Sequence, residues 1–182
     1  MKLFKLLTAL YASLSSIALL GCQTKIPQGI EPVMNFQANK YLGKWYEIAR
    51  INNKFEKSMT QVTADYSLRD DGGIKVVNRG FNTVSQKWAE SVGKAYFVKS
   101  PNIGALKVSF FGPFYGGYNI VKLDEDYQTV LVAGSSKEYL WILSRKPCIS
   151  EEIKQAYVKK AAEIGYDTSL LNFDIQTEAN CL

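Results

Sequence analysis

The chain has no histidine, and cysteine occurs only three times, at Cys22, Cys148 and Cys181. Without imidazole there is no His-based triad and no His-ligated metal. This counts against an ordinary hydrolase, and nothing in the composition singles out a catalytic residue, a metal or a cofactor. Charge of one sign is also scarce: 22 Lys and Arg stand against 17 Asp and Glu. No basic stripe is interleaved with aromatics, so nothing points to nucleic acid. Long apolar runs are few. The longest, from Leu6 to Leu20, is too short and wrongly flanked for a secure membrane span. What remains is a hydrophobic content of 47% in 182 residues, ordinary for a single globular domain.

The N-terminus opens with Lys2 and Lys5, and an apolar stretch follows, ending in Leu19-Leu20-Gly21-Cys22. This resembles the bacterial lipobox, in which the chain is cut before a cysteine that is then lipidated. The resemblance implies a signal peptide over 1–21 and a lipid on Cys22. Gln23, a non-Asp residue after that cysteine, implies sorting to the outer membrane, with the domain facing the periplasm. Leu20 is larger than the residue usual at its position, and an ordinary signal peptide with a chance cysteine is the alternative. Cleavage removes Lys2 and Lys5 and leaves 20 basic against 17 acidic side chains. Cys148 and Cys181 are then an even pair in an oxidising compartment, which suggests a disulfide; two buried thiols are the other option. Residues 22–34, polar and with Pro27 and Pro32, read as a flexible tether. Residues 35–182 form the domain.

Within the domain, strand-like runs at 44–51, 61–69, 74–81, 88–98, 105–111, 118–123, 129–134 and 139–145 are separated by turn chemistry. Asp70-Asp71-Gly72-Gly73, Ser100-Pro101-Asn102 and Gly112-Pro113 are among the joints. Eight runs with hairpin-length connections and no intervening helix predict an antiparallel up-and-down sheet, and closure would remove both edges. A two-sheet sandwich competes on pattern alone. The period then changes. Ser150 precedes Glu151 and Glu152, and Ile153, Tyr157, Ala161 and Ile164 fall at helical spacing before Gly165. A last alternating run, 171–175, predicts a final short strand.

Gly43-Lys44-Trp45 opens the first run and Arg145 closes the eighth, an order that resembles the lipocalin signature. Tyr41 to Arg50, Tyr66 to Gly73, Lys107 to Asn119 and Tyr139 to Arg145 strongly resemble bacterial outer-membrane members of that family. Asp126-Tyr127 sits where a second family block has a similar pair. The resemblance implies an all-β fold: an eight-stranded antiparallel barrel with one C-terminal α-helix and a final short strand. Gly43, Trp45 and Arg145 would form its floor. It implies binding of a fatty acid or lysophospholipid in the barrel, for storage or transport, and not catalysis, so the chain is expected to be no enzyme; contact with a membrane would come through the N-terminal lipid anchor. The oligomeric state stays open, a homodimer included.

With Trp45 inward, alternation assigns the other inward faces, Glu47 and Ala49 following it on the first strand. The predicted pocket is Ala64, Tyr66, Val76, Asn78, Phe97, Val108, Phe110, Tyr118, Ile120, Leu131, Ala133, Trp141 and Leu143. These walls are apolar with few polar atoms, which suits an acyl chain at about 0.8 kcal/mol per buried CH₂. The mouth is expected at the loops near 52–60, 82–87, 112–117 and 135–138. Its cations would be Lys54, Lys57, Lys87 and Lys137, against Glu56 and Glu138, and its apolar residues Phe55, Met59, Phe114 and Tyr115. Two other functions compete: a lipocalin-fold enzyme acting on a lipophilic substrate, and a structural envelope module. All three cysteines fall outside the inward faces, which counts against a thiol enzyme.

Overall fold

Gly43 starts the first strand at φ +90°, a backbone conformation that an L side chain rarely adopts. From there a computed structural model, describing residue 24 and residues 26–51, 56–174 and 176, shows the chain winding through eight antiparallel strands. They are β1 (Gly43–Ile51), β2 (Met59–Leu68), β3 (Ile74–Asn82), β4 (Lys87–Phe97), β5 (Ala105–Phe111), β6 (Phe114–Leu123), β7 (Thr129–Ala133) and β8 (Leu140–Ser144). Each pairs with the next, and β1 pairs with both β8 and β2, so the sheet closes into a barrel. A four-residue helix α1 (Ala38–Tyr41) precedes β1, helix α2 (Glu151–Glu163) follows the barrel, and β9 (Leu171–Phe173) comes last. This is the predicted order. The β5–β6 hairpin is longer than its sequence suggests: Phe114 to Gly117 continue the strand, and only Gly112-Pro113 makes the turn.

Closure is complete only in the lower half. Gly43 to Tyr46 pair with Thr63 to Tyr66, whereas Ala49 to Ile51 pair with β9 instead. The gap between upper β1 and β2 is filled by side chains from beyond β9. Asp174 accepts hydrogen bonds from the Thr60 hydroxyl and the Val62 amide, and the Gln176 amide donates to the Glu47 and Val62 carbonyls.

Two apolar clusters result. One is inside the barrel around Trp45, Tyr66, Ile120, Val130 and Val132. The other lies between the outer face of β1, β6, β7 and β8 and helix α2, around Ala49, Leu131, Ala133, Ile142, Tyr157 and Ala161. Helix α2 is capped by the Ser150 hydroxyl, which accepts from the Ile153 amide, and its first turn carries Glu151 and Glu152. Tyr157 and Ala161 carry the packing, and the Tyr157 hydroxyl donates to the Thr129 carbonyl at 2.7 Å. Ile153, predicted for the same stripe, is 39% exposed.

The tether expected over 22–34 is shorter than predicted. Ile30 is buried, and Val33 inserts between two strands as a short added rung: its amide donates to the Ile120 carbonyl, and its carbonyl accepts from Gly104. Met34 bridges to Ile103. Proline and polar residues gave this stretch its linker-like composition, but Ile30 and Val33 bury apolar surface against the barrel. Gly104 permits the approach, since a Cβ there would lie 2.9 Å from Val33. Cys22 lies outside the described residues.

Candidate functional site

The floor is built first. Phe36, from the segment ahead of β1, plugs the closed end, its ring packed near Tyr41, Phe97 and Tyr127. Trp45 is fully buried above, and its indole N–H donates to the Tyr41 carbonyl at 2.8 Å. Arg145 covers the other side, its guanidinium 4.0 Å from the Trp45 ring centre. It also donates to the Lys40, Leu42 and Lys44 carbonyls at 2.8–2.9 Å, tying the end of α1 and the start of β1 to the end of β8. A Cβ on Gly43 would lie 3.4 Å from this guanidinium.

Above the floor lies a cavity of about 660 Å³, in the range of small-molecule sites. Of the predicted pocket residues, Ala64, Tyr66, Val76, Asn78, Val108, Phe110, Tyr118, Trp141 and Leu143 line it. Phe97 and Ile120 also point inward but lie lower, in the packed floor around the Phe36 plug. Leu131 and Ala133 do not face the cavity at all. Both belong to the outer cluster under α2, and Val130 and Val132 take the inward places. All five residues of β7 are buried, because α2 covers its outer face, so the strand has no polar side to mark parity. Ala49 is a second correction. A bulge between Glu47 and Ala49 turns Ile48 and Ala49 together into the outer cluster.

The polar groups are few and specific. The hydroxyls of Tyr41, Tyr66 and Tyr118 meet at the cavity base, Tyr118 lying 2.6 Å from Tyr41 and 2.9 Å from Tyr66. Burial pushes all three phenols well above their ordinary pKa, so they stay protonated. Three hydroxyl protons share two bonds, leaving one donor for another group. On the wall, the side-chain oxygen of Asn78 is buried without a protein partner. Higher up, the Glu47 carboxyl accepts from Arg50, and both are almost fully buried. The second guanidinium nitrogen of Arg50 donates to the Glu56 and Met59 carbonyls, holding that loop to β1. The Trp141 indole donates to the Glu56 carboxyl at 3.2 Å.

Burial, reinforced by the neighbouring Glu56 and opposed by Arg50, raises the Glu47 pKa from 4.5 to about 8. The fold therefore binds a proton that the unfolded chain releases near pH 4.5. Stability from this group is complete below that pH and is lost as pH climbs through about 8. Glu47→Gln should keep the Arg50 contact and flatten the fall in Tm between mildly acidic and mildly alkaline buffer. An unchanged pH slope would show that Glu47 is ionised throughout.

At the mouth, Lys57 and Lys87 are exposed. Lys137 is committed elsewhere: it donates to the Ile164 carbonyl and lies 4.3 Å over the Tyr166 ring, securing the end of α2. Lys54 and Phe55 lie outside the described residues. Cys148 is disulfide-bonded, and its predicted partner Cys181 also lies outside them. Sequence reasoning missed Tyr41, which precedes the first strand and so has no parity. It also missed Ser91, which continues the inward side of β4 above Gly93.

Residues 36–176 match the family model described as a lipocalin-like domain. The chain is 49% identical over 166 residues to "Outer membrane lipoprotein Blc" of Escherichia coli (strain K12), covering 91% of this chain and 94% of that protein. It is 47% identical over 164 residues to the protein of the same name from Vibrio cholerae, covering 90% and 95%. Among solved structures, insecticyanin from the tobacco hornworm Manduca sexta superposes with a TM-score of 0.68 at 18% identity, over 86% of this chain and 89% of that one. The closed barrel with its Trp45–Arg145 floor, the trailing helix and these matches together place the chain in the lipocalin family.

Proposed function

We propose that the protein is held on the periplasmic side of the outer membrane by a lipid on Cys22 and stores or carries fatty acids or lysophospholipids in its barrel. The observation that carries this reading is the cavity itself: about 660 Å³, with walls of Val76, Val108, Phe110 and Leu143 and polar atoms confined to a few places. Such walls reward an acyl chain and give a polar metabolite little to bond. The Escherichia coli and Vibrio cholerae relatives, both named outer membrane lipoproteins, support the membrane and the anchor. Binding rather than catalysis is the function these surroundings suit.

Trp141 supplies the test. It lines the cavity, whereas Trp88 is 49% exposed on the outer face of β4 and Trp45 is sealed in the floor. Titrating delipidated protein with a long-chain fatty acid or a lysophospholipid should change indole fluorescence, and Trp141→Phe should remove most of that change. Mass spectrometry of lipid extracted from the purified protein would name the chain and headgroup. No saturable signal with any acyl ligand, or turnover of the ligand, would sink the carrier reading. Cys22→Ala should release the folded domain from the membrane fraction.

A further inference from the structure

The three most exposed large apolar side chains among the described residues are Val84 at 80%, Phe111 at 74% and Phe114 at 67%. All three sit at the tips of the β3–β4 and β5–β6 hairpins, and both tips stand at the mouth of the cavity. Exposed Lys57 and Lys87 share that rim with Glu138. Solvent-exposed aromatic and aliphatic tips beside cations are what a lipid surface accepts, the apolar groups entering the acyl boundary and the ammonium groups meeting phosphate.

The tether leaves at the opposite end. Ile26, Pro27 and Ile30 line one shallow concavity with Lys99 and Ile103, residues of the β4–β5 connection at the barrel floor. From Cys22 to Ile26 the chain can stretch about 14 Å at most. The mouth is farther away than that. Strand β5 has seven residues, about 23 Å along the strand and about 18 Å along a barrel axis tilted as usual. An inverted barrel would have to hold Ile26 at least that far above the bilayer, beyond the reach of its own tether.

From these two placements we infer that the barrel stands with its floor towards the membrane that holds it and its mouth towards a second, facing lipid surface, on which Val84, Phe111 and Phe114 seat. This rests on the anchored reading above. It makes the protein a bridge: cargo enters from, or leaves to, a membrane other than the one it is tethered in.

The test uses the full lipidated protein floated with one set of vesicles, then mixed with labelled vesicles of phosphatidylglycerol in phosphatidylcholine. Capture of the labelled set is expected. Val84→Asp should reduce capture about tenfold while the Trp141 titration with fatty acid is unchanged, since Val84 does not line the cavity. Phe111→Ser with Phe114→Ser should reduce capture further. Inserting about twenty Gly/Ser residues after Thr24, with a typical reach of about 25 Å, should also lower capture, because the mouth can then fold back onto its own vesicle. Floating protein that captures nothing overturns the inference, as does capture indifferent to the tip substitutions or to the longer tether. Protein that fails to float with the first vesicles overturns the anchored reading instead.

Discussion

Arg145→Ala should lower Tm by about 10 °C and leave acyl-ligand affinity within about twofold. The guanidinium lies on the Trp45 face and donates to the Lys40, Leu42 and Lys44 carbonyls. The stacking contributes about 0.5–2 kcal/mol. Each donated hydrogen bond adds about 0.5–1.5 kcal/mol net, with partial replacement by water at this rim. A loss near 3 kcal/mol follows, and at about 2–4 °C per kcal/mol for a domain of this size that is the stated shift. Affinity should hold because Arg145 lies beneath Trp45 and does not line the cavity. Arg145→Lys should recover the charge over the ring but not the fork to three carbonyls, and so fall between the two. Differential scanning calorimetry and a fatty-acid titration decide it: an unchanged Tm with lost binding would make Arg145 a ligand contact.

That floor was legible only through the resemblance: Gly43, Trp45 and Arg145 fall in the order of the lipocalin signature, whereas a Gly-x-Trp alone would read as ordinary core. The order of strands was legible from Asp-Gly and Pro-containing joints between alternating runs. Strand β7 was legible as a strand but its inward face was not, since Thr129 to Ala133 are buried on both sides and apolar alternation has nothing to alternate with. Ala49 failed for another reason: parity carries only as far as the first bulge, and no residue type announces the one after Glu47. Lys137 reads in sequence as a loop cation, yet the Ile164 carbonyl at the C-terminal end of α2, 27 residues later, claims it. Composition likewise could not separate the docked Ile30 and Val33 from the tether before them, because the partners of Val33, Gly104 and Ile120, lie some seventy residues or more away. Except at the bulge, the missing information is a contact distant in the chain.

The second large effect concerns the cavity, and two neighbouring residues on β4 test it. Ser91 lines the cavity beside Asn78, its register partner on β3, and it is exposed to that space rather than packed in the core. Val92, the next residue, points to the outer face and is 54% exposed. A tryptophan at Ser91 can enter the cavity without displacing packed neighbours, so the usual overpacking cost of about 1–3 kcal/mol should be largely avoided. Its ring would take the place of about four methylenes of a bound chain, and at about 0.8 kcal/mol each the loss is near 3 kcal/mol. Ser91→Trp should therefore weaken binding of a long-chain fatty acid about a hundredfold. Shorter chains, which need not pass the new ring, should lose less. Val92→Trp adds the same bulk to solvent and should leave affinity unchanged. Tm for both variants should stay near that of the parent, which separates blocking from unfolding. Equal affinities for Ser91→Trp and Val92→Trp with a long chain would mean that the ligand does not occupy the upper barrel, and the carrier reading would need another site.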